Sequence, residues 1–199
     1  MRRADKNRRK DRLRPKVEGA QTLEDLLRHL EIPADEWEYL IVGDGSGTTL
    51  DKESGSSAIV IERETMRRWE CGCTLSHGTN VMAEMFAYVV PLLMLSHNKL
   101  KRTPYGVRVH IVTDCQHLPM AWERKHSRQK NIELWGLLES FSRRGIVIKF
   151  HWIPRATWDL NKYCDRAAGL RRKSQKRMPA LALKSLKLKS IYDVNPMTE

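Results

Sequence analysis

The chain has 199 residues, enough for one domain of ordinary size with appendages. A hydrophobic content of 41% can fill a core, yet no apolar run approaches the roughly 20 residues of a membrane span. The net charge of +12 is divided unevenly. Residues 1–18 hold nine Lys/Arg against three Asp/Glu and residues 166–199 hold nine against two, leaving 18 against 19 between them. A near-neutral body with two basic ends is the pattern of a globular domain with polyanion-seeking tails. The opening MRRADKNRRKDRLRPK lacks the apolar middle of a secretory signal, so a cytoplasmic location is expected, where Cys71, Cys73, Cys115 and Cys164 remain reduced thiols.

Residues 1–18 carry almost no large apolar side chains and read as a disordered arm. TLEDLLRHLEI (22–32) sets leucines at 23, 26, 27 and 30, a helical stripe behind Thr22 as N-cap, and Pro33 ends it. The period then changes. EYLIVGD (38–44) is a short apolar strand stopping at Asp44, followed by a polar loop, GSGTTLDKESGSS. AIVIERE and RRWECGCTL are two strands joined by a turn near 65–68, so three sequential strands form an antiparallel meander.

NVMAEMFAYVVPLLMLSHNKL is a helix beginning at Asn80, with Met82, Met85, Phe86 and Val89 on one face and a kink or break at Pro91. YGVRVHIVTD is a strand that also ends on an aspartate, Asp114. A short helix over CQHLPMAW, a basic loop ERKHSRQK and a helix NIELWGLLESFSRR follow. IVIKFHWI alternates as a strand, PRATW is a loop, and a last helix spans roughly 158–172. This order predicts an α/β fold, a mixed sheet covered by helices. In the CGC of the third strand both sulfurs share one face, and packing is the expected role. Trp122, Trp135, Trp152 and Trp158 are read as core residues; a base-stacking role is kept open for Trp158 because its loop lies near the site proposed below.

Two strands end on acids, Asp44 and Asp114. Such a residue is either a turn former or a group held at the sheet rim for chemistry. Glu84 sits in an apolar helical segment and needs exposure, a partner or a cation. Asp165 raises the same question, with Lys162 and Arg166 as candidate salt-bridge partners. If the four converge, mutual repulsion calls for hard divalent cations. Carboxylates suit Mg²⁺ or Mn²⁺, and two such ions clamp the attacking and leaving oxygens of a phosphodiester. On that reading the glycines after Asp44 let a nucleic-acid backbone approach.

VGDGSG, GTNVMAE, IVTDCQ, NIELWGLL and HWIPRATWDLNKYCDRAA, in that order over roughly residues 38–170, together resemble type 1 ribonuclease H. The resemblance implies a ribonuclease H-like fold with a five-stranded mixed sheet: an antiparallel meander plus two helix-linked parallel strands, flanked by helices. It implies catalytic metal ligands Asp44, Glu84, Asp114 and Asp165, holding two Mg²⁺ ions with Mn²⁺ as a substitute. It further implies substrate contacts from Gly45, Ser46, Asn80 and Gln116, and hydrolysis of the RNA strand of an RNA/DNA hybrid. Asn80 can also serve as a helix N-cap.

The sequence departs from the family in three places. Many members place a histidine in the loop before the last aspartate. Here Arg155 stands in IPRATW, where it can pair with a phosphate but cannot shuttle protons near neutral pH. A short basic loop replaces a longer basic protrusion, and the basic ends have no family counterpart. The expected organisation is a basic arm (1–18), a helical extension (19–37), a catalytic domain (38–172) and a basic tail (173–199), in a monomer without membrane contact. Two rivals share the fold: a DNA nuclease of junction-resolvase or transposase type, and a non-catalytic nucleic-acid-binding module. Amide side chains suited to 2′-OH groups favour the hybrid reading.

If the tails bind phosphates, affinity for nucleic acid falls steeply with salt. Deleting residues 1–18 is expected to flatten the plot of log affinity against log salt, measured by anisotropy titrations on a labelled hybrid. An unchanged slope would place that arm elsewhere.

Overall fold

The computed structural model describes residues 22–48, 52–98, 106–124, 128, 130–174 and 195–196. In chain order the elements are α1 (Leu23–His29), β1 (Tyr39–Ser46), β2 (Lys52–Glu62), β3 (Arg68–Gly78), α2 (Asn80–Asn98), β4 (Val107–Thr113), α3 (His117–Glu123), α4 (Ile132–Arg143), β5 (Ile146–Trp152), α5 (Asp159–Lys173) and β6 (Asn195–Pro196). The strands lie side by side as β5-β4-β1-β2-β3, with the two-residue β6 at the outer edge of β3. β1, β2 and β3 pair antiparallel, whereas β4 and β5 run parallel to β1. This is the expected α/β fold with a five-stranded mixed sheet. The arm at 1–18, half of the ERKHSRQK loop (125–127 and 129) and nearly all of the basic tail lie outside the described residues.

Alternation along the strands sorts side chains into two cores. On one face Tyr39, Ile41, Ala58, Val60, Val109 and Ile111 meet α2, α3 and α4. On the other, Leu40, Val42, Ile59, Ile61 and Val112 meet α5 and α1. α2 is buried nearly all round from Ala83 to Leu93, beyond the single face expected, and it runs through Pro91 without a break. Trp122 and Trp135 pack as expected and clasp the Arg128 guanidinium, which also donates 2.6 Å to Glu139. Arg128 of the basic loop is therefore turned inward. Cys71 and Cys73 are buried in the first core, and burial raises both thiols, Cys73 to about 11.

Two expectations about the strands need correction. The supposed loop GSGTTLDKESGSS is largely strand: β1 runs on to Ser46, β2 begins at Lys52, and Ser54, Ser56 and Ser57 are fully buried. Small polar residues there make room for α5. A Cβ on Gly55 would lie 2.5 Å from the Ala168 carbonyl oxygen and 2.5 Å from the Arg172 nitrogen. Trp152, read as core, is 45% exposed at the end of β5.

α1 is fastened to the body. Thr22 and Asp25 form a reciprocal capping box, with both hydrogen bonds at 3.1 Å. Leu23, Leu26, Ile32 and Trp37 then join Ile153, Trp158 and Cys164 in the second core. Trp158 is thereby buried, with His29 5.4 Å from its ring, and is not placed to stack on a base. Leu26→Ala is expected to cost about 2–5 kcal/mol of global stability in a single unfolding transition. A chemical denaturation midpoint equal to wild type would mean that α1 is an independent appendage.

Candidate metal centre

Parallel pairing sets the site. The register Leu40↔His110, Ile41↔Ile111, Val42↔Val112, continued two residues, brings Asp44 level with Asp114. Asp44 lies inside β1, not at its end, because the β2 pairing continues to Ser46↔Gly55. Only the β4 ladder stops short of it. The two aspartates therefore flank a gap where neighbouring strands part, the position at which open α/β sheets bind ligands.

Glu84 arrives from the helix on the other face. Its reach depends on Gly45, since a Cβ there would lie 2.2 Å from the Glu84 nitrogen and 2.4 Å from the Ala83 carbonyl carbon. The glycine that was expected to admit a nucleic-acid backbone admits α2 instead. The Gly45 N–H donates to Asp44 Oδ1 at 2.7 Å and to Glu84 Oε2 at 3.2 Å. That N–H is thus already engaged by two carboxylates, and Gly45 is buried. Ser46 beside it is half-buried.

Asp44, Glu84 and Asp114 each place a carboxylate oxygen within 4.8 Å of the other two. Asp44 Oδ2 and Asp114 Oδ2 are buried without a hydrogen-bond partner. Burial and then the Asp114 and Asp165 charges raise Asp44 to about 7, against the pull of the Gly45 N–H and Arg155. Glu84 is pushed well above the usual carboxylate range by burial and by Asp44. Asp114 is raised by burial while Arg155 draws it down. Three desolvated acids, two of them with an unpartnered oxygen, form a donor set of oxygen ligands alone, which fits a hard divalent cation.

The fourth expected ligand stands apart. Asp165, on α5, is half exposed and outside the group of three. Its partner is neither Lys162, which pairs with Asp159 at 2.9 Å, nor its neighbour Arg166. Arg155 reaches it instead, with Nη2 3.7 Å from Asp165 Oδ1 and Nε 3.7 Å from Asp114 Oδ2. The Asp165 charge nonetheless helps to raise Asp44 and Asp114.

Asn80 and Gln116 are exposed beside this cluster in sequence, Gln116 at the start of α3. Asn80 Oδ1 accepts the Gly47 N–H at 3.2 Å. Capping of α2 falls to Thr79, whose Oγ1 accepts from the Met82 N–H at 3.3 Å. Two supports escaped the sequence reading. Tyr88, fully buried, donates its hydroxyl to the Gly43 carbonyl at 2.7 Å and approaches that of Val112 at 3.4 Å, tying β1 to β4 beneath the acids. Its spacing of four from Glu84, on the same helix face, was the available signal. Trp152 donates its indole N–H to the Asp114 carbonyl at 3.1 Å.

The architecture is the ribonuclease H-like fold. The N-terminal ribonuclease H domain of a Mycobacterium tuberculosis protein superimposes with a TM-score of 0.53 at 19% identity, over 67% of this chain and 92% of that one. A ribonuclease H1 isolated from compost by a metagenomic approach gives 0.55 at 17%, over 67% and 94%. The same compost protein in complex with an RNA/DNA hybrid gives 0.51 at 18%, over 65% and 98%. No protein-family model matches the sequence, and no curated protein is similar to it. The likeness is therefore one of fold.

The raised carboxyls have a consequence for stability. The folded chain keeps protons that the unfolded chain releases near its ordinary values of 3.8 and 4.5. The stability they contribute is complete below that range and is lost as pH rises through about 7. In chelator, the melting temperature is expected to fall between about pH 5 and 8. Asp44→Asn is expected to flatten the fall and to add on the order of 1–3 kcal/mol at the alkaline end. Thermal melts of both proteins across that range are the check, and parallel curves would contradict the assignment.

Proposed function

We propose that the protein is a metal-dependent endonuclease that hydrolyses the RNA strand of RNA/DNA hybrids. The observation that carries this reading is the meeting of Asp44 of β1, Glu84 of α2 and Asp114, just past β4, within 4.8 Å on this fold. Evolution of a purely structural core would not gather three desolvated carboxylates around unpartnered oxygens.

In this reading the three acids, with Asp165, would hold two Mg²⁺ ions, whose charge would offset that developing on the phosphodiester oxygens. The chain's own groups do the rest. The Gly45 N–H fixes the rotamers of Asp44 and Glu84, and Tyr88 holds the two strands at the spacing that keeps Asp44 beside Asp114. Asn80 and Gln116 supply donors and acceptors suited to the 2′-OH groups in the wide minor groove of a hybrid. Those groups distinguish RNA from DNA, which disfavours a DNA nuclease on the same fold. Hydrolysis leaves a 3′-OH and a 5′-phosphate.

Asp114→Asn keeps the shape of the side chain and removes a ligand charge. It is expected to lower hybrid cleavage by about 10³-fold or more while leaving hybrid affinity within about threefold of wild type. A Mg²⁺-dependent assay on hybrid, duplex DNA and junction substrates at equal salt, with anisotropy for binding, is the measurement. Cleavage near the wild-type rate would remove the site, and preference for DNA junctions would remove the substrate.

A further inference from the structure

Arg155 does something that its expected role as a phosphate contact does not describe. Among the described residues it is the cation that reaches this cluster, and it reaches two acids at once. One is Asp114, whose Oδ2 is buried and otherwise without a hydrogen-bond partner. The other is Asp165, the acid left out of the group of three.

The backbone presents the guanidinium at a set place. Ile153 and Trp158, at either end of the loop, are buried in the second core, and the Ile153 N–H donates to the Thr113 carbonyl at 2.9 Å. Between them the chain turns at Ala156, whose φ of 54° is left-handed. A residue with a β-carbon is held there only when its surroundings demand it. The side chain itself is 69% exposed, so it can leave without unfolding anything.

We infer that Arg155 is a built-in counter-ion that must be displaced before a cation can join Asp114 to Asp165, and that a substrate phosphate is what displaces it. The inference rests on the metal-dependent reading above. The guanidinium and a divalent cation compete for the same two carboxylates. A nucleic-acid phosphate offers the planar guanidinium an alternative, bidentate partner. Substrate binding and occupancy at the Asp114–Asp165 pair are then coupled, and the coupling is reciprocal: each ligand tightens the other. Asp44 also feels the Arg155 charge, whereas the two ion pairs are made to Asp114 and Asp165. The arrangement limits full metal loading to the moment when nucleic acid is present.

Calorimetric titration with Mn²⁺ tests this without relying on turnover. Arg155→Ala is expected to tighten the weaker Mn²⁺ binding event about fivefold in the absence of nucleic acid, the scale of losing two solvated ion pairs. Arg155→Lys keeps the charge on a single nitrogen and is expected to fall between the two. A hybrid whose RNA strand carries 2′-O-methyl groups, and so resists cleavage, is expected to tighten Mn²⁺ binding more in wild type than in Arg155→Ala. Equal Mn²⁺ affinity in wild type and Arg155→Ala would overturn the inference, as would equal tightening by the hybrid. Cleavage of a labelled hybrid by wild type tests the parent reading separately. Cleavage with unaltered Mn²⁺ affinities removes the counter-ion and leaves the nuclease, whereas the absence of any Mn²⁺ binding removes both.

Discussion

The site depends on how closely β1 and α2 can approach. A strand and a helix normally keep their side chains between them, near 10 Å apart. Here the strand presents a bare Cα at Gly45, and the backbone of α2 rests on it. That contact puts a carboxylate from one face of the sheet beside a carboxylate from the other, because Asp44 points away from α2 while Glu84 reaches over the strand. A side chain at Gly45 would force the layers apart and separate the two acids. The pairing of Asp44 with Glu84 is thus a product of packing as much as of sequence position.

The second constraint is electrostatic. Three desolvated acids oppose one another, and the fold tolerates them only by holding them in place. The single N–H of Gly45 serves both Asp44 and Glu84, and the Tyr88 hydroxyl ties down the carbonyl of the residue before Asp44. On the far side of the sheet a separate network fastens α5: Glu70 accepts from Ser57 and Tyr163 and pairs with Arg171 at 2.9 Å. These contacts fix the helix that carries Asp165, although they lie away from the cluster. Glu70 has a partner on each oxygen, whereas Asp44 and Asp114 each keep one buried oxygen without a hydrogen bond.

Much of this was legible in the residues. Alternating apolar strands and the stripe behind Thr22 gave the element order and the α/β class, and the acids singled out at 44, 84 and 114 are the three that the fold brings together. What misled was the chemistry of small residues. Gly and Ser near 45–57 carry turn propensity, yet their lack of bulk, which the pattern does not separate from flexibility, is what α2 and α5 require. Trp152 was misplaced because its strand alternates correctly up to the point where the sheet loses its covering helix. The Arg155 pairing was invisible because it joins three segments that only the fold brings together, and near neighbours Lys162 and Arg166 offered a more local partner for Asp165.

The loop between Ile153 and Trp158 also separates two kinds of freedom. Its ends are locked into the interior and its middle touches only the rim, so its length is under packing control while its tip is not. The side chain at the tip can therefore be exchanged without disturbing the mount. A chain built this way can change the charge it presents beside Asp114 by one substitution, with the interior left as it is.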